Sequence, residues 1–299
     1  MRITNDSDLL VQLALANRDR ATESQLQVGS GKKAQDFKGL AEDTQTALST
    51  RSLLSRNESL QGAVSRARVD LKATDTRLNT VYEIAQDLVQ TLKNAVGQER
   101  GDGLEETLDK SFEQIVGILN GRQNDLYIFG GTRTDTPPVN VATRADLQAT
   151  TTANAFDNFG PSREARVADN LTVELGVQAD DVARNLFQVI ENITNAGPFP
   201  DDKLSAAQIA TLTTEVGNLE TATRDVANAQ TDNGLNLNRL NVASDQLEQE
   251  AIALERFKTE VEDVDPAEAI NRLMNDKFAL EASYRSINLL QQTTLLNFI

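Results

Sequence analysis

The sequence of 299 residues contains no cysteine, no histidine and no tryptophan. Without cysteine it has no disulfide and no thiolate nucleophile, and without histidine it lacks an imidazole base and the commonest ligand of zinc. These absences exclude most hydrolases and metalloenzymes, and no other combination of side chains suits catalysis. We therefore predict that the protein is not an enzyme and has no catalytic residues, metal or cofactor.

Aromatic residues make up only 4% of the sequence, and 29 Lys and Arg are outnumbered by 45 Asp and Glu. A core with so few aromatic side chains must be built mainly from Leu, Val, Ile and Ala, which favours helices packed on helices. The net charge of -16 would repel phosphate backbones, and no basic patch with interleaved aromatics is present. Nucleic acid is therefore not an expected partner.

Long hydrophobic runs are also absent, since no stretch approaches the roughly 20 apolar residues of a membrane span. The sequence begins MRITND, which places an acid where a secretory signal would carry positive charge. We expect no membrane insertion and no cleavable signal peptide. This leaves a cytoplasmic protein, or one that is exported by another route.

The sequence does contain two long patterns in which apolar residues recur at alternating steps of four and three, as in a coiled coil. An amphipathic helix needs an apolar partner, so we predict that the two helices pair with each other. Polar members near Gln230 and Asn233 predict the loosest packing there. The first pattern is Leu53, Asn57, Leu60, Val64, Ala67, Leu71, Thr74, Leu78, Val81, Ala85, Leu88, Leu92 and Ala95. The second is Leu212, Val216, Leu219, Thr223, Val226, Gln230, Asn233, Leu237, Leu240, Ser244, Leu247, Ala251, Leu254, Lys258 and Val261.

Both chain ends are predicted to be helices with apolar surfaces. The first is expected to end at Gly29-Ser30-Gly31, and the last has a clear start, with Asp265 as its cap, Pro266 at the first helical position and Glu268 at the capping-box position. Burying an exposed Leu or Ile contributes about 1.5 to 3 kcal/mol, so we expect other molecules to cover both ends. The residues predicted to form this assembly interface are Ile3, Leu9, Leu10, Leu13, Ile270, Leu273, Leu280, Tyr284, Ile287, Leu295, Leu296, Phe298 and Ile299.

The middle of the sequence differs in composition and predicts a small mixed module. Residues 163–178 are typical of a β-hairpin around Asp169-Asn170, and Asp180 or Asp181 is expected to cap a short helix. The predicted fold is mainly α, a long antiparallel coiled-coil-like helical rod formed by the N- and C-terminal halves with a small β-containing central insert. The predicted domains are a terminal helical domain of 1–44 with 265–299, a rod domain of 45–131 with 201–264, and an outer module of 132–200.

This layout resembles the flagellin family, and three local motifs agree. The turn Val28-Gly29-Ser30-Gly31-Lys32-Lys33 is similar to the Gly-Lys turn after that family's first helix. Gly234–Leu240 and Val261–Ala269 resemble its C-terminal rod and the joint before its last helix. Within the family, Tyr127–Thr132 and the closing Leu295–Ile299 resemble the branch that forms the junction between flagellar hook and filament.

The resemblance implies a structural, self-assembling subunit of the bacterial flagellum that joins hook to filament through packing of its terminal helices. It implies an extracellular location at the hook–filament junction, reached by export without a cleavable signal peptide. The implied partners are further copies of the chain, another hook-associated protein, flagellin, an export chaperone and the flagellar export apparatus.

Two alternatives stay open at the level of sequence. The first is flagellin itself, the filament subunit, which would use the same helices to polymerise indefinitely. The second belongs to another class, a cytoplasmic coiled-coil signalling rod, because heptad patterns alone are usually only a structural core.

Overall fold

The computed structural model describes residues 3–157 and 160–296, and the side chains of 8–157 and 160–289. The fold is mainly α with a small β-containing part, as predicted. The helices are α1 (Ile3–Ser30), α2 (Thr44–Gln98), α3 (Leu104–Leu119), α4 (Arg144–Thr150), α5 (Ala179–Ala196), α6 (Ala206–Glu262) and α7 (Pro266–Leu296), with 3-10 turns at Phe37–Asp43 and Thr152–Asn154. The strands are β1 (Arg122–Gln123), β2 (Leu126–Tyr127), β3 (Glu164–Ala168) and β4 (Leu171–Glu174).

The chain divides into two compact units, and α2 and α6 contribute residues to both. The terminal unit comprises Met1–Glu58 and Glu248–Ile299, and the central unit comprises Ser59–Leu247. The division into three domains made from the sequence stays a prediction. Within the described part of the chain, no helix combines the length and the hydropathy that crossing a bilayer requires.

In the central unit, α2 and α6 pair in antiparallel orientation, as their heptad patterns predict. Lys93 Nζ lies 2.7 Å from Glu220 Oε1, and Gln61 Nε2 donates to the carbonyl of Leu247 at 3.5 Å. A residue later in α2 therefore contacts a residue earlier in α6. The predicted heptad residues of α2 from Val64 to Leu92 are buried throughout. The pattern therefore identified both the partner helices and the buried face of α2.

The heptad pattern is wrong at its first residue. Leu53 is 43% exposed, whereas its neighbour Leu54 is only 7% exposed. The buried residues of α2 before Val64 are Ala47, Thr50, Leu54 and Asn57. The spacing is three residues from Leu54 to Asn57 and again three from Asn57 to Leu60, where a regular heptad pattern alternates between three and four. Such a local irregularity shifts the apolar stripe around the helix by one position.

Asn233, near which the loosest packing is predicted, is 1% exposed. Its Nδ2 donates to the carbonyl of Leu71 at 3.0 Å. This polar pair lies between two apolar clusters of the α2 and α6 helices, one including Leu71 and Leu240 and the other including Leu78 and Val226. The same Nδ2 lies 3.5 Å from Asp75 Oδ1. A buried amide that bonds across a helix pair favours one register of the two helices over its neighbours.

The central module packs on this helix pair. Strands β3 and β4 form the predicted antiparallel hairpin, with Glu164 opposite Glu174, and its residues Val167 and Val173 are buried in the cluster with Leu71 and Leu240. Helix α5 contributes Phe187, whose ring centroid lies 4.9 Å from those of Phe112 and Phe156. Three aromatic rings thus pack together in the core of the central unit.

The predicted cap of α5 is wrong. The helix begins at Ala179, its N-cap is Gln178 without a side-chain cap bond, and Asp180 and Asp181 lie inside the first turn. Acids in the first turn are favourable because they face the positive end of the helix dipole. Burial, followed by repulsion from Asp180, raises the pKa of the Asp181 carboxyl.

A buried arginine connects helices α3, α4 and α5 of the central unit. Arg144 on α4 donates from Nε to Asp109 Oδ1 at 2.6 Å and from Nη2 to Glu105 Oε2 at 2.5 Å, both on α3. Its Nη1 reaches Thr194 Oγ1 of α5 at 3.5 Å. Burial opposes its charge, but the two carboxylates outweigh burial and raise the pKa of Arg144.

Candidate assembly surface

Helices α1 and α7 of the terminal unit pair with each other in antiparallel orientation. Asn17 Nδ2 donates to Ser283 Oγ at 2.8 Å, and Ser24 Oγ donates to Asp276 Oδ2 at 2.5 Å. A residue seven positions later in α1 therefore contacts a residue seven positions earlier in α7. The first and last helices of the chain cover each other on one face.

The face between α1 and α7 combines buried small and polar side chains with half-buried Leu and Ile. Small side chains let two helix backbones approach closely, but they bury little apolar area. On α1 the buried residues are Ala14, Ala21, Ser24 and Gln27, with Leu10 and Asn17 half-buried. On α7 they are Ala269, with Leu273, Asp276, Leu280, Ser283 and Ile287 half-buried.

The large apolar residues lie mainly on the outside of this pair. We call them the outer apolar face: ten side chains between 43% and 69% exposed, namely Leu9, Val11, Leu13, Leu15 and Leu26 of α1 and Ile270, Met274, Phe278, Tyr284 and Leu289 of α7. Ile270, Met274 and Phe278 follow one another at i, i+4 and i+8, so they are neighbours on one side of α7. An exposed apolar surface of this extent is typical of a protein–protein contact.

The structure separates the residues predicted for the assembly interface into groups. Leu9, Leu13, Ile270 and Tyr284 are exposed on the outer apolar face. The half-buried members are Leu10, Leu273, Leu280 and Ile287, whose spacing places them with the residues between α1 and α7. Five predicted residues, Ile3, Leu295, Leu296, Phe298 and Ile299, lie outside the residues whose side chains are described.

The residues predicted for the assembly interface did not include the most exposed members of the outer apolar face. Phe278 and Leu289 are more exposed than any predicted residue whose side chain is described, and Met274 lies between Ile270 and Phe278. The spacing of four from Ile270 through Met274 to Phe278 was the available signal.

A short backbone bridge joins the end of α1 to the joint between α6 and α7. Gly31 has a φ of 71°, a left-handed conformation that suits glycine, and it ends α1 directly after Ser30 as predicted. Lys33 N then donates to the carbonyl of Glu262 at 2.8 Å, and Val264 N donates to the carbonyl of Gly31 at 3.0 Å. These bonds hold the two helix ends side by side.

An ion cluster reinforces this bridge. Glu262 is only 3% exposed, and its carboxylate accepts from Arg51 Nε at 2.6 Å and Arg51 Nη2 at 2.7 Å. Lys32 Nζ lies 2.5 Å from Asp263 Oδ1 and 3.6 Å from Glu262 Oε2. The hydrogen bond from Arg51 is the main cause that lowers the pKa of Glu262, and the bond to Asp263 is the main cause that raises the pKa of Lys32.

The start of α7 agrees with its predicted cap. Asp265 Oδ1 accepts hydrogen bonds from Ala267 N at 2.8 Å and Glu268 N at 3.2 Å, and Pro266 is the first helical residue. Glu268 also has a partner on its own helix, because its Oε1 accepts from Arg272 Nη2 at 2.6 Å.

Within residues 3–157 and 160–296, no acidic side chains group in a way that could hold a metal ion.

Residues 216–299, which include most of α6 and all of α7, match the family model of the bacterial flagellin C-terminal helical region. The match confirms the flagellin resemblance drawn from the sequence. That family is one of flagellar structural proteins, which is not a class of enzymes.

Two solved structures share the fold of this flagellin-like chain. A protein assigned as a flagellar hook-associated protein of Vibrio parahaemolyticus aligns with a TM-score of 0.61 and 16% identity, covering 73% of this chain and 97% of its own. FlgL of Bacillus cereus aligns with a TM-score of 0.56 and 15% identity, covering 70% of this chain and 98% of its own. No curated protein matches the chain by sequence.

Proposed function

We propose that this protein is a structural, self-assembling subunit of the bacterial flagellum that joins hook to filament, the role of hook-associated protein 3. The outer apolar face carries this proposal. It lies on the first and last helices, whose fully buried contact residues are small or polar and whose half-buried contact residues include Leu10, Leu273, Leu280 and Ile287. Neighbouring subunits are the partners that would bury the remaining apolar side chains.

The flagellin-type C-terminal region and the fold shared with two hook-associated proteins support the same role. A subunit in a tube makes different contacts above and below, related by a screw operation that need not close into a ring. In the proposed junction, the lower contacts are made with another hook-associated protein and the upper contacts with flagellin. The protein binds its neighbours and catalyses no reaction.

The proposed location is the outer end of the hook, reached by export through the flagellar apparatus without a cleavable signal and with the help of an export chaperone. The lack of cysteine suits such a route, because no disulfide can stabilise the fold before export. Burial of the outer apolar face is then deferred until neighbouring subunits are present.

Flagellin is the second candidate, and the match of residues 216–299 favours it as directly as the junction role. The two differ in copy number and place. A junction protein is a minor component at the end of the hook, whereas flagellin is the main component along the whole filament. Immunogold labelling of intact flagella separates them, since labelling along the filament would contradict the junction role.

The assembly step is tested by placing charge on the outer apolar face. The double variant Ile270→Asp and Phe278→Asp should lose incorporation into flagella, because two carboxylates cannot be buried against apolar neighbours without large cost. Both side chains are exposed in the single chain, so the purified variant should keep its helix content and its urea unfolding midpoint.

Asn275→Asp is the matched control, since it adds a carboxylate at an exposed polar position of the same helix. It should be incorporated normally. Normal incorporation of the double variant, measured by immunoblotting of sheared flagella, would contradict the proposed use of this face.

A further inference from the structure

Met274 stands out on the outer apolar face because of its chemistry. The sequence contains two methionines, Met1 and Met274, and no cysteine, histidine or tryptophan. Side chains that peroxides oxidise readily are therefore almost absent from this protein. One of the two methionines is 56% exposed and lies between Ile270 and Phe278 on the same side of α7.

Oxidation changes this side chain in the property that the face depends on. A thioether is apolar and flexible, and it adapts well to irregular apolar contacts. A methionine sulfoxide is polar and cannot be buried against apolar side chains without losing its hydration. The change occurs in the middle of a stripe whose neighbours, Ile270 and Phe278, have no polar group that could bond the new oxygen.

We propose that Met274 is a modification site at which peroxide oxidation switches off assembly of the free subunit. The inference rests on the proposed function, since it assumes that the outer apolar face binds neighbouring subunits. It adds that the face carries its own oxidation-sensitive side chain, which is accessible before assembly and covered after it.

The reaction is a two-electron oxygen transfer from a peroxide such as hydrogen peroxide. A lone pair of Met274 Sγ attacks one peroxide oxygen and forms the S–O bond while the O–O bond breaks. The departing hydroxide takes up the proton of the transferred OH group, so the products are the sulfoxide and water. Sulfur is oxidised by two electrons and the peroxide is reduced by two.

The folded single chain should tolerate the modification. The side chain is more than half exposed, and the new oxygen can be hydrated where it stands. The unfolding midpoint of the oxidised protein should therefore equal that of the untreated protein. Only the contact with a neighbouring subunit should weaken, by about tenfold or more in affinity, because an apolar side chain of that contact has become polar.

The experiment uses the purified full chain and its Met274→Leu variant, a substitution that keeps apolar character and volume. Each is treated with hydrogen peroxide in the presence of a metal chelator, and the oxidised residue is located by peptide mass spectrometry. Binding of fluorescently labelled subunits to isolated hooks that end in the other hook-associated protein is then measured for treated and untreated protein. Methionine sulfoxide reductases are added in a further arm to restore the thioether.

The proposal expects weakened binding by treated wild type, recovery after the reductases, and unchanged binding by treated Met274→Leu. Equal binding by treated and untreated wild type would overturn it, and so would an equal loss in Met274→Leu, which still carries Met1. Failure of Met274 to oxidise in the folded chain would also overturn it. Untreated wild type that does not bind hooks at all would instead contradict the proposed function, and this inference with it.

Discussion

The two units of the molecule use the same element, an antiparallel pair of long helices, in opposite ways. In the central unit, α2 and α6 place their large apolar residues between the helices, where Leu78, Leu88 and Leu219 are fully buried. In the terminal unit, the buried residues between α1 and α7 are small or polar, such as Ala21 and Ser24, and most of the large apolar residues are exposed, with a few such as Leu273 and Leu280 half-buried. Two paired helices that are rich in apolar residues therefore need not bury most of those residues against each other.

The difference has an energetic consequence. A fully buried Leu or Phe contributes about 1.5 to 3 kcal/mol to folding, so the central unit gains most of its apolar stabilisation within one chain. The exposed side chains of the outer apolar face contribute no such stabilisation to the terminal unit until another protein surface covers them. A subunit with one self-sufficient unit and one dependent unit is suited to assembly.

The largest expected effect comes from making the same substitution in both units. Phe187→Ala should lower the free energy of unfolding by about 3 to 5 kcal/mol, because a fully buried ring in contact with two others is replaced by a cavity. Phe278→Ala should change it by less than about 0.5 kcal/mol, since that ring is 69% exposed. Urea unfolding followed by circular dichroism measures both.

Incorporation into flagella should show the reverse order for the two variants when each is compared at equal amounts of folded protein. Phe278→Ala should be incorporated less well than wild type, and Phe187→Ala should be incorporated normally if it is folded. Similar destabilisation by the two substitutions would remove the distinction between the units.

A smaller effect is expected from the polar interior of the central module. Arg144→Ala should cost about 2 to 3 kcal/mol of unfolding free energy, because a buried guanidinium that bonds Glu105 and Asp109 is lost. Lys110→Ala is the matched control on α3, where an exposed ion pair with Glu106 should contribute less than about 0.5 kcal/mol. Equal urea midpoints for the two variants would mean that Arg144 is not a stabilising link.

The smallest effect concerns the ion cluster of the terminal unit and depends on pH. The pKa of Glu262 is lowered in the folded protein, so its contribution is fully present above the ordinary value of 4.5 and is lost as the pH falls through the folded-state pKa. Glu262→Gln should therefore cost about 1 to 2 kcal/mol near pH 7, and this difference from wild type should shrink below pH 4.5. Urea unfolding at a series of pH values gives the profile.

Glu255→Gln provides the control for that profile, because this glutamate is more than half exposed and pairs only locally with Lys258. Its difference from wild type should stay near zero across the same pH range. A Glu262→Gln difference that persists unchanged in acid would show that the charge of Glu262 does not stabilise the joint.

Local sequence patterns predicted the parts of the fold that repeat regularly. The seven-residue repeat of α2 identified its buried face from Val64 to Leu92, and the cap at Asp265 located the start of α7. The same reasoning chose Leu53 instead of Leu54, because one irregular step shifts the stripe without leaving a local signal. The many apolar residues near the chain ends indicated that other protein surfaces bury them. They did not indicate which residues α1 and α7 bury against each other.

The sequence by itself determined the helical class, the pairing of α2 with α6, the lack of disulfide and thiol chemistry, and the flagellin resemblance of the chain ends. Only the tertiary structure decided that Ala14 and Ser24 face inwards while Phe278 and Met274 face outwards, and that Glu262 meets an arginine far away in the sequence. The physical reason is the range of the interactions. Periodicity and capping act within a few residues, whereas close helix approach and ion pairing depend on which distant segments the fold brings together.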